Sequence, residues 1–379
     1  MKIGIAGAGI GGLAAAALLH DGGHQVTVFD QFDAPKPVGS GLVIQPVGQS
    51  VLHRIGVRDA ALAAGAPIHR MFGTNARGWR ALDVKYGIKG DGVFGLGIHR
   101  SGLFDVLFNA VKERGIELVS AFEVTGRNDQ ILTAADGRTA GPFDLIIDAL
   151  GSHSALSSLK PKALDYGAVW GTVDWPDTNL PADQLSQKYD GAKHMVGAMP
   201  CGHGKAAIFW SLPVASHDDF RAAGLDAWKA DANALWPDFK PFTDQITDLD
   251  QMTFAAYSHG TIAQAWATGI AHIGDAAHRA SPQLGQGANM ALLDAAALAW
   301  AVGKYEGNAA LAAFGKARKR HIATYQGISR VFTPMYQSGS TVLPWIRDYV
   351  LFPLSRIPPA PLILTQLVRG QLVWPMRKP

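Results

Sequence analysis

The stretch from the amino terminus through Asp30 constrains the fold more than any other. Residues 3–6 form a short apolar run suited to a buried strand. The loop GAGIGG follows, with Gly7, Gly9, Gly11 and Gly12 set around Ala8 and Ile10. Residues 14–19 (AAAALL) begin a helix that Gly22 and Gly23 stop. Residues 25–29 (QVTVF) alternate as a second strand, with Asp30 at its carboxyl end. That order makes a βαβ unit of the dinucleotide-binding kind, in which Gly7, Gly9 and Gly12 form GxGxxG. Gly7 allows the tight turn, Gly9 lets a pyrophosphate approach the backbone, and Gly12 lets helix pack on strand. Asp30 follows Gly12 at close to the ~20 residues expected, where its carboxylate would hold a ribose and repel a 2′-phosphate. The unit by itself does not separate FAD from NAD.

A second constraining stretch is GIAHIGDAAHRASPQLGQGANMALLDAAALAWAVG, residues 269–303. Residues 270–273 read as a buried strand. A polar loop with Pro282, Gly285 and Gly287 follows, then an Ala/Leu-rich helix over about 288–302 that Gly303 stops. Unpaired N–H groups and the helix dipole then point at one spot, which makes an anion cradle and the expected seat of a cofactor. Asp275, just past the strand, is suited to accept hydrogen bonds from sugar-like hydroxyls, each worth roughly 1.5–3 kcal/mol.

With 48% hydrophobic and 17% charged residues over 379 positions, the chain can bury two or three domain cores. A net charge of +3, from 34 basic and 31 acidic residues, predicts no attraction to nucleic acid. Cys201 is the only cysteine, so neither a disulfide nor a thiolate metal cluster is expected, and a cytoplasmic setting is favoured. No apolar run reaches the roughly 18 residues of a spanning helix, and glycines interrupt the N-terminal run that could pass for a signal peptide. HExxH, Cys-pair, P-loop and GxSxG signatures are absent from the sequence.

Between the two stretches, residues 35–46 (PKPVGSGLVIQP) read as a Gly/Pro loop leading to a helix over 48–55. Residues 68–98 hold short strands with turns expected at Gly73, Gly78, Gly87 and Gly90. The spacing of Leu103, Val106, Leu107, Ala110 and Val111 predicts a helix over 102–114. Arg100 at its entrance is a candidate phosphate clamp, against the plainer reading of a surface ion pair. Residues 117–124, 131–134 and 144–150 read as strands. From 163 to about 256, strands alternate with turns and aromatics, an inserted sheet whose Trp170, Trp175, Phe209, Trp210, Trp236, Phe239 and Phe254 are expected in its core. Lys316, Arg318, Lys319 and Arg320 read as one solvated helix face. The apolar run 342–367, broken by Pro344, Pro353, Pro358, Pro359 and Pro361, is expected to pack over the pocket, ahead of a dimer contact or a membrane surface.

Together these stretches resemble the single-component flavoprotein aromatic hydroxylases, the para-hydroxybenzoate hydroxylase-like FAD monooxygenases. GAGIGG with Asp30 is similar to the family's adenosine-binding unit, IGDAAHRASPQLGQGANMALLDAAALA to its GD fingerprint, and HRSGLFDVLFNA to its Arg-containing helix start. The resemblance implies an α/β fold: a Rossmann-like FAD-binding domain (1–67, 99–162 and 257–303), an inserted β-sheet substrate domain (68–98 and 163–256) and a C-terminal helical tail (304–379). It implies FAD contacts from Gly7, Gly9, Ile10, Gly11 and Gly12 at the pyrophosphate, Asp30 at the adenosine ribose, and Val124 in the same half of the site. Arg100 would approach the diphosphate or ribityl chain and Asp275 the ribityl hydroxyls. Pro282, Gly285, Gln286, Gly287 and Asn289 would line the isoalloxazine. One segment departs from the pattern. In DLIIDALGSHSALS, Leu150 stands where the family has an Asp and Ser157 where it has an Arg, while Gly151 and Ser154 remain. Leu150 cannot accept a hydrogen bond, so NADH or NADPH would dock without the acceptor the family provides. Leu293 also replaces a usual Glu.

The implied activity is hydroxylation of an aromatic or similarly electron-rich small molecule by molecular oxygen, through a flavin 4a-hydroperoxide, with NADH or NADPH as reductant. Such chemistry needs no protein nucleophile, and no catalytic residue stands out. His194, His203 and His259 are candidate general bases, although a lone histidine is more often structural. Leu150 motivates an alternative, an FAD oxidase or dehydrogenase without oxygen insertion; a non-catalytic flavin-binding protein is a third reading. A monomer or homodimer is expected, without membrane contact.

Overall fold

The computed structural model describes residues 1–32, 40–88 and 90–376. β1 (Lys2–Ala6), α1 (Ile10–Asp21) and β2 (Gln25–Phe29) form the crossover unit, the helix starting directly after Gly9. Then come β3 (Gly41–Ile44), α2 (Pro46–Ile55), α3 (Arg58–Ala64), β4 (Gly65–Ile68), β5 (Arg70–Asn75), β6 (Arg80–Lys85) and β7 (Gly95–His99). α4 (Arg100–Glu113) leads into β8 (Glu117–Val119), β9 (Val124–Asn128), β10 (Ile131–Ala134), β11 (Thr139–Ala140) and β12 (Leu145–Asp148). Longer strands follow: β13 (Lys162–Asp174), β14 (Gln184–Asp190), β15 (His194–Pro200) and β16 (Lys205–Pro213). After α5 (His217–Leu235) and α6 (Lys240–Thr243) the chain returns through β17 (Thr253–Thr261), β18 (Trp266–Ala267), β19 (Ile270–His272) and β20 (His278–Arg279). It ends in α7 (Gly287–Val302), α8 (Gly307–Tyr336), α9 (Val342–Ile346), α10 (Phe352–Ser355) and α11 (Ala360–Val368).

One sheet has the order β18-β19-β12-β1-β2-β8 and is parallel except at the β18 edge. β1 is buried from Ile3 onward and β12 throughout, as parallel strands covered on both faces must be. α1 and α7 are apolar almost all round and buried together, and Gly11 lets them approach: a Cβ there would lie 3.3 Å from that of Ala291. The second sheet has the order β20-β17-β13-β16-β15-β14-β5-β6. One face of it packs under α5 and α6 around Trp210, Trp228, Trp236, Phe239 and Phe242, so most of the aromatics expected in a core are in one.

Several local expectations are corrected. Gly73 lies inside β5, not in a turn, because a side chain there would press within 2.6 Å of the Tyr189 ring. Of the expected 35–46 loop, residues 35–39 lie outside the described residues, while Gly41–Ile44 pairs with β7 as a strand. The expected 117–124 strand is two strands, since the chain turns at Ala121 with φ +51°. In the basic run Lys316, Lys319 and Arg320 are exposed, but Arg318 is 1% exposed and bound to Asp294. The tail packs by one face only: Thr365, Leu367 and Val368 are buried, whereas Val342, Trp345, Leu354, Ile357, Leu362 and Ile363 are exposed.

Asp294 ties the end of the first sheet to α8. Its Oδ1 accepts from Arg318 Nε at 2.7 Å; its Oδ2 lies 2.6 Å from His278 Nε2 and accepts from Gly274 N at 2.9 Å. Burial alone would push this carboxyl up, but His278 and Arg318 outweigh it and hold it at about 2. A depressed carboxyl stabilises the fold above its unfolded value of about 4, and that contribution is lost as pH falls toward 2. Asp294→Asn leaves Arg318 buried without its counter-charge and should cost about 3–5 kcal/mol in urea unfolding at neutral pH. A loss below about 1 kcal/mol would contradict this role.

Candidate functional site

The carboxyl ends of β1, β12 and β19 bring the two glycine-rich turns together, since α1 and α7 start there side by side. At the first turn Gly7 has φ +105°, and an added side chain would collide with the Ala149 carbonyl. Gly12 passes so close to the Gly7 carbonyl that any side chain would strike it. Gly9 faces open space, with nothing within 4 Å of an added Cβ. Asp30 clamps this turn: its Oδ2 accepts from Ala8 N at 2.7 Å and its Oδ1 from Phe32 N at 3.1 Å. Val124 is buried with Phe29, Phe122 and Leu132 beside the same strand ends. Arg100 is the first residue of α4, exposed, and its guanidinium makes no ion pair among the described residues.

In the second turn Asp275 is exposed in a short 3₁₀ segment after β19, and its carboxylate accepts no hydrogen bond among the described residues. Pro282 opens another such segment, and Gly285 closes it with φ +60°. Gly287 begins α7 facing open space. Asn289 is fully buried and does not face that space; its amide braces the turn from behind. Its Oδ1 accepts from Gln45 N at 2.8 Å, and its Nδ2 donates to Val43 O at 3.0 Å and Gly285 O at 2.9 Å. Two more amides are buried here: Gln286 has no partner for its oxygen or nitrogen, and Gln45 has only the buried Tyr86 hydroxyl beside it. Leaving the Gln286 amide unpaired costs roughly 1–3 kcal/mol for each group. Gln45 carries no sequence signal of its own, being a single polar residue between an apolar run and Pro46.

The turn after β12 is internally knotted. Asp148 is fully buried: its Oδ1 accepts from Leu150 N at 3.1 Å, while its Oδ2 accepts from Ser154 Oγ at 2.7 Å and lies 2.7 Å from His272 Nδ1. Asp148 is 0% exposed and bonded to these three groups, so it does not supply the acceptor missing at Leu150, whose side chain packs with the Phe29–Phe122 cluster. Ser157 Oγ donates to Ala276 O, tying this turn to the one holding Asp275.

Beyond the second turn lies an apolar cavity between Met71 and Val84 of the sheet, Leu284, Tyr336 of α8 and Leu364 of α11. Gln187 and Gln283 lend it amides, and no charged side chain lines it. Burial holds the bordering Tyr189 phenol well above its ordinary value, hence protonated. A wider cleft of about 470 Å³ opens between β2, β8 and the small β9–β11 sheet, and no residue of either glycine-rich turn lines it. The candidate bases do not converge on the cavity. His194 stacks on Trp210 and lies 3.1 Å from Ser211 O, with burial lowering its pKa. His203 sits exposed in the β15–β16 turn, and His259 is buried beside Gln326, with burial lowering its pKa.

Residues 1–140 and 193–330 match the model of the FAD binding domain family. The 6-hydroxynicotinate 3-monooxygenase of Pseudomonas fluorescens is 26% identical over 86% of this chain and 90% of its own. The 3-amino-4-hydroxybenzoate 2-monooxygenase of Streptomyces cremeus is 27% identical over 79% and 77%. Klebsiella pneumoniae HpxO, solved with FAD and uric acid, superposes with a TM-score of 0.83 over 98% of this chain and 96% of its own, at 21% identity. That structural likeness shows the fold. The family match spans well over half of the chain and both glycine-rich turns, and the chain belongs to the FAD binding domain family.

Proposed function

We propose that this chain is an FAD-dependent monooxygenase that hydroxylates a small aromatic or similarly electron-rich molecule, consuming molecular oxygen and NADH or NADPH. The observation that carries the reading is the 282–287 turn. One side of it carries the buried, unpartnered amide of Gln286; the other borders an uncharged apolar cavity. When bound, FAD supplies the redox chemistry that oxygen insertion requires. The backbone of Gly7, Gly9, Ile10, Gly11 and Gly12 would present N–H groups to its diphosphate, with Arg100 adding positive charge. Asp30 and Val124 would flank the adenosine half, and Asp275 would accept from the ribityl hydroxyls. Pro282, Gly285, Gln286 and Gly287 would border the ring, with the N-terminus of α7 stabilising negative charge on it. The apolar side chains around this cavity, whose free volume is about 70 Å³, would form one wall of the substrate site and exclude water. In this reading residues 1–67, 99–162 and 257–303 carry the cofactor, 68–98 and 163–256 the substrate, and 304–379 close over both.

Both monooxygenases named above act, by name, on a ring bearing a hydroxyl, which supports the substrate class. Cys201 is buried and its thiol pushed up to about 11, so it stays a protonated, unreactive core side chain. Leu150 favours a second reading, an oxidase or dehydrogenase that releases peroxide. Turnover under ¹⁸O₂ with NADH or NADPH and phenolic or hydroxypyridine candidates decides between them. One labelled atom in the product is expected, whereas stoichiometric hydrogen peroxide with unlabelled product would overturn the proposal. Gln286→Leu should weaken FAD binding about tenfold, the loss of one hydrogen bond of about 1–1.5 kcal/mol, measured by flavin fluorescence quenching. Unchanged affinity would remove Gln286 from the site.

A further inference from the structure

The exposed face of the tail lies over the cavity wall. α11 turns Leu364, Leu367 and Val368 inward onto the cavity and Pro361, Leu362 and Ile363 outward. Leu354 of α10 and Ile357–Pro358–Pro359 extend the outer face, with Val342 and Trp345 of α9 exposed earlier in the same tail. Tyr349 joins this face to the β5–β6 hairpin tip, its ring 5.9 Å from Trp345 and 6.0 Å from Trp79, itself 61% exposed. The scaffold beneath is rigid. Arg347 and Asp348 are buried as a pair at 2.6 Å, Asn75 Nδ2 donates to Asp348, and Thr365 Oγ1 and Arg369 Nε donate to backbone carbonyls of Lys85 and Tyr86. This apolar face is therefore held out by the fold.

Charge selects its occupant. From residue 337 to 376 the one exposed ionic side chain is Arg356, and on the hairpin tip the exposed ones are Arg77 and Arg80, the latter 3.6 Å from the half-buried Asp83. Exposed aliphatic residues and tryptophans fringed by arginines, with no exposed carboxylate in either segment, match an anionic lipid surface, where tryptophan settles at the headgroup level. A second copy of this chain would bring the same arginines against these, which disfavours a symmetric dimer. No helix among the described residues is long and apolar enough to cross a membrane. We propose that the protein docks on the surface of an anionic bilayer through the outer faces of α9–α11 and the β5–β6 tip, with the cavity wall lying against the lipid.

The full chain should co-sediment with equimolar phosphatidylcholine–phosphatidylglycerol vesicles and less well with phosphatidylcholine alone. Leu354→Asp combined with Ile363→Asp replaces exposed side chains only and should lower vesicle affinity about tenfold or more, with the thermal midpoint unchanged. Arg77→Glu combined with Arg356→Glu should erase the preference for the anionic vesicles while leaving the weaker association with the neutral ones. Wild-type protein that sediments with neither vesicle overturns the proposal. So does a wild-type dimer in light scattering that the Asp variant converts to a vesicle-indifferent monomer, which would assign the face to self-association.

Discussion

The close approach of α1 and α7 is the contact on which the rest of the site depends. α1 follows β1 directly, and α7 follows β19 of the same sheet after the short β20 and the 282–285 turn, so both N-termini lie at that sheet's carboxyl edge. Gly11, Gly274 and Ala291 meet at that end of the pair, where an added Cβ on either glycine would come within 3.1–3.3 Å of the Ala291 Cβ. Small side chains at this junction bring two helix dipoles and two sets of unpaired N–H groups into one neighbourhood, although hundreds of residues separate them in sequence. Asp294 fixes the turn before α7 from below, and Asn289 fixes the turn at its start from behind.

Much of this was legible in the residues. The order strand, GAGIGG, helix, strand, Asp30 specifies local geometry almost position by position, and the 269–303 stretch does the same. What escaped was whatever depends on a partner distant in the chain. Asn289 looks like one more polar residue in a turn, but its amide is spent on Gln45, Val43 and Gly285, partners that only folding supplies. Arg318 lies in a basic run that reads as solvated, and only a buried carboxylate on a neighbouring helix draws it inside. Gly73 resembles a turn glycine because composition does not reveal the Tyr189 ring across the sheet.

The turn after β12 shows how a departure from a motif is accommodated. Here Asp148, His272 and Ser154 satisfy one another beneath it, and Leu150 joins an aromatic cluster. The side chain at 150 therefore offers no acceptor of its own at this turn.

The central claim is that two glycine-lined turns hold opposite ends of one extended FAD, and competition between its halves tests this most directly. Apoprotein titrated with FAD should bind one equivalent, and both ADP and FMN should bind more weakly and displace it. Failure to take up FAD, or unhindered binding of ADP alongside bound FAD, would contradict the account.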